Sequence, residues 1–133
     1  MSSGFVKDDY CFACGKLNTH GLHMNVIKKN DGVEAVIRLP EWAQSYAHIV
    51  HGGIIATILD EMAVWAAYHQ GYNCVTAELL VRIKKSMALD GTYCAQARIV
   101  NKKHRFVAAE STVLDEQKNI VAYATAKLMK VNQ

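Results

Sequence analysis

Residues 51–68 of this chain read HGGIIATILDEMAVWAAY. Apolar residues recur in this stretch at helical spacing, and Gly71 follows as a C-terminal stop. The pattern predicts a helix from about residue 51 to 69 that is apolar on almost every side, as a helix buried within its domain is. The helix nevertheless carries two adjacent carboxylates, Asp60 and Glu61. Because an unpaired buried carboxylate is costly, these acids have either partners or a chemical role.

The sequence on either side of the helix is typical of β-strands. Two short strands are predicted before it, at 24–29 and 33–39, joined by an Asp-Gly turn. Four longer strands are predicted after it, at residues 74–84, 92–102, 106–114 and 120–131. Their short connections favour antiparallel neighbours, because parallel strands need a long crossover. We therefore expect an α+β fold in which one long antiparallel sheet is wrapped around a central buried helix.

The composition is that of one ordinary globular domain. With 133 residues, 51% hydrophobic and 20% charged, the chain suits a single domain over 1–133 with a polar lead-in over 1–23. A net charge of +3 is too weak to indicate a nucleic-acid partner, although it suits an anionic small ligand. The N-terminus does not read as a secretory signal, and the helix is too short and too acidic to predict a membrane partner. We expect a cytoplasmic protein.

The cysteines show no disulfide-framework spacing, which agrees with a reducing compartment. Cys11 and Cys14 precede His20 and His23, and two thiols with two imidazoles could form a tetrahedral zinc site. The segment between Cys14 and His20 is short for a zinc-finger loop, however, and nothing else in the chain is organised like a finger. We therefore favour a packed N-terminal turn, and we expect no metal and no organic cofactor.

Several short motifs lie in a recognisable order along the chain. They are the lead-in CFACG at 11–15 with Gly21-Leu22, then His51-Gly52-Gly53, Asp60 and Thr76-Ala77-Glu78-Leu79. In these motifs, and over most of residues 11–130, the chain resembles the hotdog-fold acyl-CoA thioesterases, particularly their phenylacetate-pathway (PaaI-like) branch. The resemblance implies hydrolysis of a small-to-medium acyl or aryl-acyl thioester of coenzyme A or a related carrier.

Thioester hydrolysis needs hydrogen-bond donors at the carbonyl oxygen, and the start of the helix supplies them. Its first N–H groups are free, the helix dipole adds positive charge, and glycine lets a ligand approach the backbone. Gly52, with His51 beside it, is the candidate oxyanion donor, and Gly53 is a candidate substrate-binding residue. Many members of the family that this chain resembles carry Asn or Gln in the preceding loop, where it helps to bind the thioester carbonyl. This chain has Ser45 there, next to Gln44, so Ser45 is the candidate substrate-binding residue. A pure packing role for the glycines is the alternative.

The reaction also needs a base or nucleophile at the carbonyl carbon, and Asp60 is the candidate. Desolvation on a buried helix raises proton affinity, which suits a general base, while direct attack to form an anhydride is the other route. Glu61 points about 100° away around the helix, so we interpret it as a partnered structural acid. The resemblance implies that Thr76 orients the attacking water. The alternatives are a structural acid at Asp60 and an ordinary strand residue at Thr76.

The spacing of Gly52 and Asp60 predicts an oligomer. Eight residues on a straight helix correspond to about 12 Å along its axis, so the two residues of one chain cannot both reach one thioester carbonyl. If both act, the acid comes from one chain and the amide from another. Catalysis then requires a homodimer with two composite sites, and a homotetramer is left open.

Basic residues are candidates for binding the phosphates of coenzyme A. They form two clusters, represented by Arg82 and Lys84 and by Lys103 and Arg105. Solvated strand ends are the alternative interpretation. The competing function is a non-catalytic acyl-CoA-binding or regulatory hotdog module, which would bind the ligand without releasing thiol. A hotdog dehydratase is less favoured, because the helix carries no separate acid–histidine pair.

Overall fold

The computed structural model describes residues 5–131. Its elements are β1 (Ile27–Lys29), β2 (Gly32–Ile37), a 3-10 turn (Glu41–Ala43), α1 (Gly52–His69), β3 (Cys74–Ile83), β4 (Tyr93–Lys103), β5 (Phe106–Leu114) and β6 (Ile120–Lys130). The six strands form one antiparallel sheet in the order β1-β2-β4-β5-β6-β3. The predicted order of elements and the α+β class are confirmed. No helix among residues 5–131 is long and apolar enough to cross a membrane.

One face of α1 packs on the concave side of the sheet and contacts strands β2 to β6. The fully buried face consists of Ile55, Ile58, Leu59, Met62, Ala63, Ala66 and Ala67. The expectation of burial on almost every side was wrong for the single chain, because Asp60 and Val64 lie on a half-buried face. The sheet covers α1 from one side only. The other side, which carries both Asp60 and apolar residues such as Val64, is only half-buried by the described part of the chain.

Alanines make up much of the sheet surface beneath α1. They are Ala35, Ala95, Ala97, Ala109, Ala122, Ala124 and Ala126. Because alanine ends at Cβ, the helix backbone can approach the strands closely, and the core is packed without long side chains at this level. Ser111 lies on the same inner surface, 1% exposed, and its hydroxyl donates to the carbonyl of Leu59 at 2.9 Å. This bond fixes the middle of α1 against β5.

Strand β3 lies at an edge of the sheet. Among residues 5–131 it pairs only with β6, so no described residue pairs with its outer row of N–H and C=O groups. Leu80 and Ile83 are 63% and 46% exposed on this strand. A long edge strand with exposed apolar side chains is a template for pairing with another chain. The open edge lies beside the half-buried side of α1, which contacts β3.

Candidate active site

The start of α1 leaves one backbone donor free. The His51 side chain caps the helix, with its Nδ1 accepting from the Gly53 N–H at 2.8 Å. The His51 carbonyl accepts from the N–H groups of Ile54 and Ile55. No residue of 5–131 accepts a hydrogen bond from the Gly52 N–H. Of the first-turn amides, Gly52 is therefore the one available to a ligand. Because Nδ1 accepts, the proton of the neutral His51 ring is on Nε2.

A side chain at position 53 would meet different neighbours from a side chain at position 52. A Cβ on Gly53 would lie 3.1 Å from the His51 Nδ1, so glycine there makes room for the capping imidazole. A Cβ on Gly52 would meet only the Cδ1 of Ile83 at 3.5 Å, which is an ordinary van der Waals contact. Packing therefore explains Gly53 but gives no reason for glycine at position 52. An approach of a ligand to the backbone does explain it.

Asp60 lies in the middle of α1 and accepts a hydrogen bond from the Thr76 hydroxyl at Oδ1, over 2.5 Å. The register of β3 shifts between Thr76 and Glu78, so Ala77 is an extra residue at the start of the strand. Such a bulge re-aims the neighbouring side chain. Burial raises the pKa of Asp60, the Thr76 hydrogen bond lowers it, and the charge of Glu61 raises it again, with a net rise. No cation within residues 5–131 forms an ion pair with Asp60.

Glu61 faces a different set of neighbours. Its Oε2 accepts from the indole N–H of Trp65 at 2.8 Å and lies 3.7 Å from the Cys11 sulfur. The two adjacent acids therefore do not form a pair that shares a proton, in line with the angle between successive helix positions. Asp60 faces the start of β3, whereas Glu61 faces the lead-in.

Gly52 and Asp60 are not brought together within one chain. They belong to the single continuous helix Gly52–His69, which keeps them about 12 Å apart along its axis. Ser45 is exposed in the loop before the helix, and its hydroxyl points to the carbonyl of Ile49 at 3.4 Å. The side-chain oxygen of Gln44 accepts from the His48 N–H at 2.9 Å. The side chains of Ser45 and Gln44 therefore both contact the loop itself.

The two basic clusters lie at opposite ends of the sheet. Arg82 and Lys84 flank Ile83, the residue next to Gly52, so they are at the N-terminal end of α1. Lys103 and Arg105 are at the turn between β4 and β5, where the Arg105 carbonyl accepts from the N–H of Lys130. All four side chains are exposed. A ten-residue strand separates the clusters by about 30 Å, so one chain cannot apply both to the same phosphates.

One known family model covers the segment that contains the start of α1, Asp60 and Thr76. The sequence model described as Thioesterase superfamily matches residues 47–122, which is more than half of the chain. The chain belongs to the thioesterase superfamily. No curated protein matches it.

Three solved structures of thioesterase-like proteins can be compared with this chain. A Streptococcus mutans UA159 protein bound to acetyl-CoA is 22% identical, with a TM-score of 0.76 over 83% of this chain and 90% of that chain. A hypothetical thioesterase of Streptococcus pneumoniae TIGR4 with coenzyme A is 19% identical, with a TM-score of 0.76 over 83% and 90%. The Escherichia coli PaaI protein of the phenylacetic acid degradation operon is 15% identical, with a TM-score of 0.76 over 84% and 81%. The hotdog fold is confirmed, while the PaaI-like branch stays a prediction.

Proposed function

We propose that this protein hydrolyses acyl-CoA thioesters with a small-to-medium acyl or aryl-acyl group. The observation that carries the proposal is the free Gly52 N–H at the start of a buried helix that also holds Asp60, an acid without an ion-pair partner in residues 5–131. A donor for a carbonyl oxygen and a carboxylate for its carbon are the two groups that the reaction needs. Membership of the thioesterase superfamily and neighbours solved with acetyl-CoA and coenzyme A support this chemistry.

In the proposed reaction, the Gly52 N–H and the positive end of α1 stabilise the negative charge that develops on the thioester oxygen. Asp60 either takes a proton from the attacking water or attacks the carbonyl carbon to form an anhydride, which water then hydrolyses. In both routes the carbon–sulfur bond breaks, and coenzyme A leaves as the thiol after taking up a proton. The Thr76 hydroxyl holds Oδ1 of Asp60 and leaves Oδ2 for the substrate or water.

The proposed site is composite, with Asp60 from one chain and Gly52 from a second copy. The 12 Å estimate for their separation in one helix requires this if both contact the same carbonyl. The open edge of β3 and the half-buried side of α1 offer a surface on which a second copy can pack with its helix antiparallel. One homodimer then contains two such sites.

Asp60→Asn tests the activity, because the amide keeps the shape of the side chain but is not a base. We expect turnover of the best acyl-CoA, followed by thiol release, to fall about 100-fold or more with substrate binding retained. Asp31→Asn is the matched control, since it makes the same exchange in an exposed turn where Asn-Gly is also favourable. Unchanged turnover in Asp60→Asn contradicts the role of Asp60. A wild-type protein that binds acyl-CoAs but releases no thiol is instead the non-catalytic module.

Mixing two inactive variants tests the composite site. In a heterodimer of Asp60→Asn with Gly52→Pro, one site carries both changes and the other carries neither. Random exchange of equal amounts makes half of the dimers mixed, so about a quarter of wild-type activity returns. Sites contained within single chains would each keep one lesion, and no activity would return. Mixing either variant with itself is the control for the exchange step.

A further inference from the structure

We propose that Cys11, Cys14 and Glu61 form a binding site for a thiophilic divalent metal ion, with zinc as the best fit. One ligand atom from each residue lies within 4.8 Å of the other two. All three residues are partly buried, and they come from the lead-in and from α1. This site does not depend on the proposed thioesterase activity, because Glu61 points about 100° around α1 from Asp60 and contacts other residues.

One of the three distances between the ligand atoms already matches tetrahedral zinc. With Zn–S near 2.3 Å and Zn–O near 2.1 Å, a tetrahedral arrangement separates sulfur from oxygen by about 3.6 Å. The Cys11 sulfur and the Glu61 Oε2 are 3.7 Å apart. This edge of the tetrahedron is therefore present before any ion binds. Two thiolates with one carboxylate favour zinc over magnesium or calcium, which prefer oxygen ligands alone.

The fold holds two of the three ligands, Cys11 and Glu61, in place from outside the cluster. The Cys11 carbonyl accepts from the Gly15 N–H at 2.8 Å, and a Cβ on Gly15 would lie 2.4 Å from the Asp9 carbonyl oxygen, so this tight turn needs glycine. The Trp65 indole donates to Glu61 and orients its carboxylate. Such contacts from neighbouring groups are what position metal ligands in proteins.

The charges in the cluster lack compensation in the described part of the chain. Within residues 5–131, no lysine, arginine or histidine forms an ion pair with Glu61. The ammonium group of Lys7 lies instead over the Trp65 ring, 4.4 Å from its centroid. A bound divalent cation would supply the missing positive charge and displace the thiol protons.

The structure also changes the ligand set that the sequence suggested for zinc. His20 and His23 do not join the cluster: the His20 Nδ1 contacts the Thr19 hydroxyl, and the His23 Nε2 contacts the Asn18 carbonyl. Glu61, fifty positions after Cys11, takes their place. A cleft of about 300 Å³, lined by Cys14, His23 and Trp65 among others, gives an ion access and leaves room for water as the fourth ligand. The ion would then tie the lead-in to α1.

The test uses the full chain, reduced and without a histidine tag, titrated with Zn²⁺ and with Co²⁺. We expect one ion per chain, a cobalt spectrum with tetrahedral thiolate bands, and a rise in melting temperature with zinc. Cys14→Ser and Glu61→Gln should each weaken binding by about tenfold or more. Glu61→Gln can still accept from Trp65, so it tests ligation with the fold kept. Cys94→Ser, a partly buried free cysteine outside the cluster, is the matched control and should bind like the wild type.

Two results would overturn the proposal. The first is a wild-type chain that binds no more zinc than Cys14→Ser. The second is a cobalt complex without thiolate bands, or one that Glu61→Gln leaves unchanged in affinity. Neither result depends on thiol release from acyl-CoA, so this proposal and the proposed activity can fail separately.

Discussion

Replacing Gly52 by proline removes one hydrogen-bond donor from the candidate active site and preserves the helix. Gly52 is the first residue of α1, directly after the capping His51. Proline is favoured at this position, because its fixed φ suits the helix and the N–H it lacks has no partner within the helix. The residue before a proline must be extended, and His51 already has φ −62° and ψ 133°. Few backbone donors can be deleted with so little structural cost.

The expected loss follows from the value of a single oxyanion donor. Removing one lowers kcat by about 100- to 1000-fold, or about 2.7–4 kcal/mol of transition-state stabilisation. The free energy of unfolding should stay within about 1 kcal/mol of the wild type, since proline at a compatible position also restricts the unfolded chain. Thiol release from the best acyl-CoA measures the first quantity, and urea unfolding followed by circular dichroism measures the second.

Gly52→Ala is the matched control, because it keeps the N–H and adds only a methyl in ordinary contact with Ile83. It should retain most of the turnover that Gly52→Pro loses. A folded Gly52→Pro protein with kcat within about threefold of the wild type would refute the oxyanion role of this amide. Equal losses in both variants would show that steric blocking, rather than the missing donor, is responsible.

Two further substitutions test how α1 and Asp60 are held. Thr76→Val removes the hydroxyl that positions Asp60 and should lower kcat by about tenfold or more with KM nearly unchanged, since hydrogen bonds to charged groups contribute about 1.5–3 kcal/mol. Thr76→Ser should restore the rate, whereas failure of this rescue argues against a positioning role. Ser111→Ala removes the buried bond to the Leu59 carbonyl and should cost about 1 kcal/mol in urea unfolding, and an unchanged midpoint would contradict this.

The sequence was sufficient for the elements whose signals are local. The helix predicted over 51–69 is observed over Gly52–His69, because apolar spacing and the terminal glycines both act within a few residues. The first strand was predicted over 24–29 but is only Ile27–Lys29. The reason is a longer-range contact, since the Met24 N–H donates to the Ala13 carbonyl in the folded lead-in. No periodicity within the strand could indicate that competition.

In the candidate site, too, local features could be predicted from the sequence whereas tertiary contacts could not. Asp60 and Gly52 could be singled out because an acid in an apolar helix and a glycine at a helix start are local features. The sequence did not predict the cap by the His51 side chain, because histidine is not among the residues usually preferred at that position. The pairing of Asp60 with Thr76 depends on the bulge in β3, and the approach of Cys11 to Glu61 depends on where the lead-in packs. Both are tertiary contacts.

The buried alanines under α1 determine how closely the helix lies on the sheet. Because Ala124 is fully buried, the larger side chain of Ala124→Leu should push α1 away from the sheet. In the proposed homodimer, one helix supplies the acid to its own reaction centre and the amide to its twin's. Three carbon atoms added far from any reacting atom would therefore lower the activity of both centres at once.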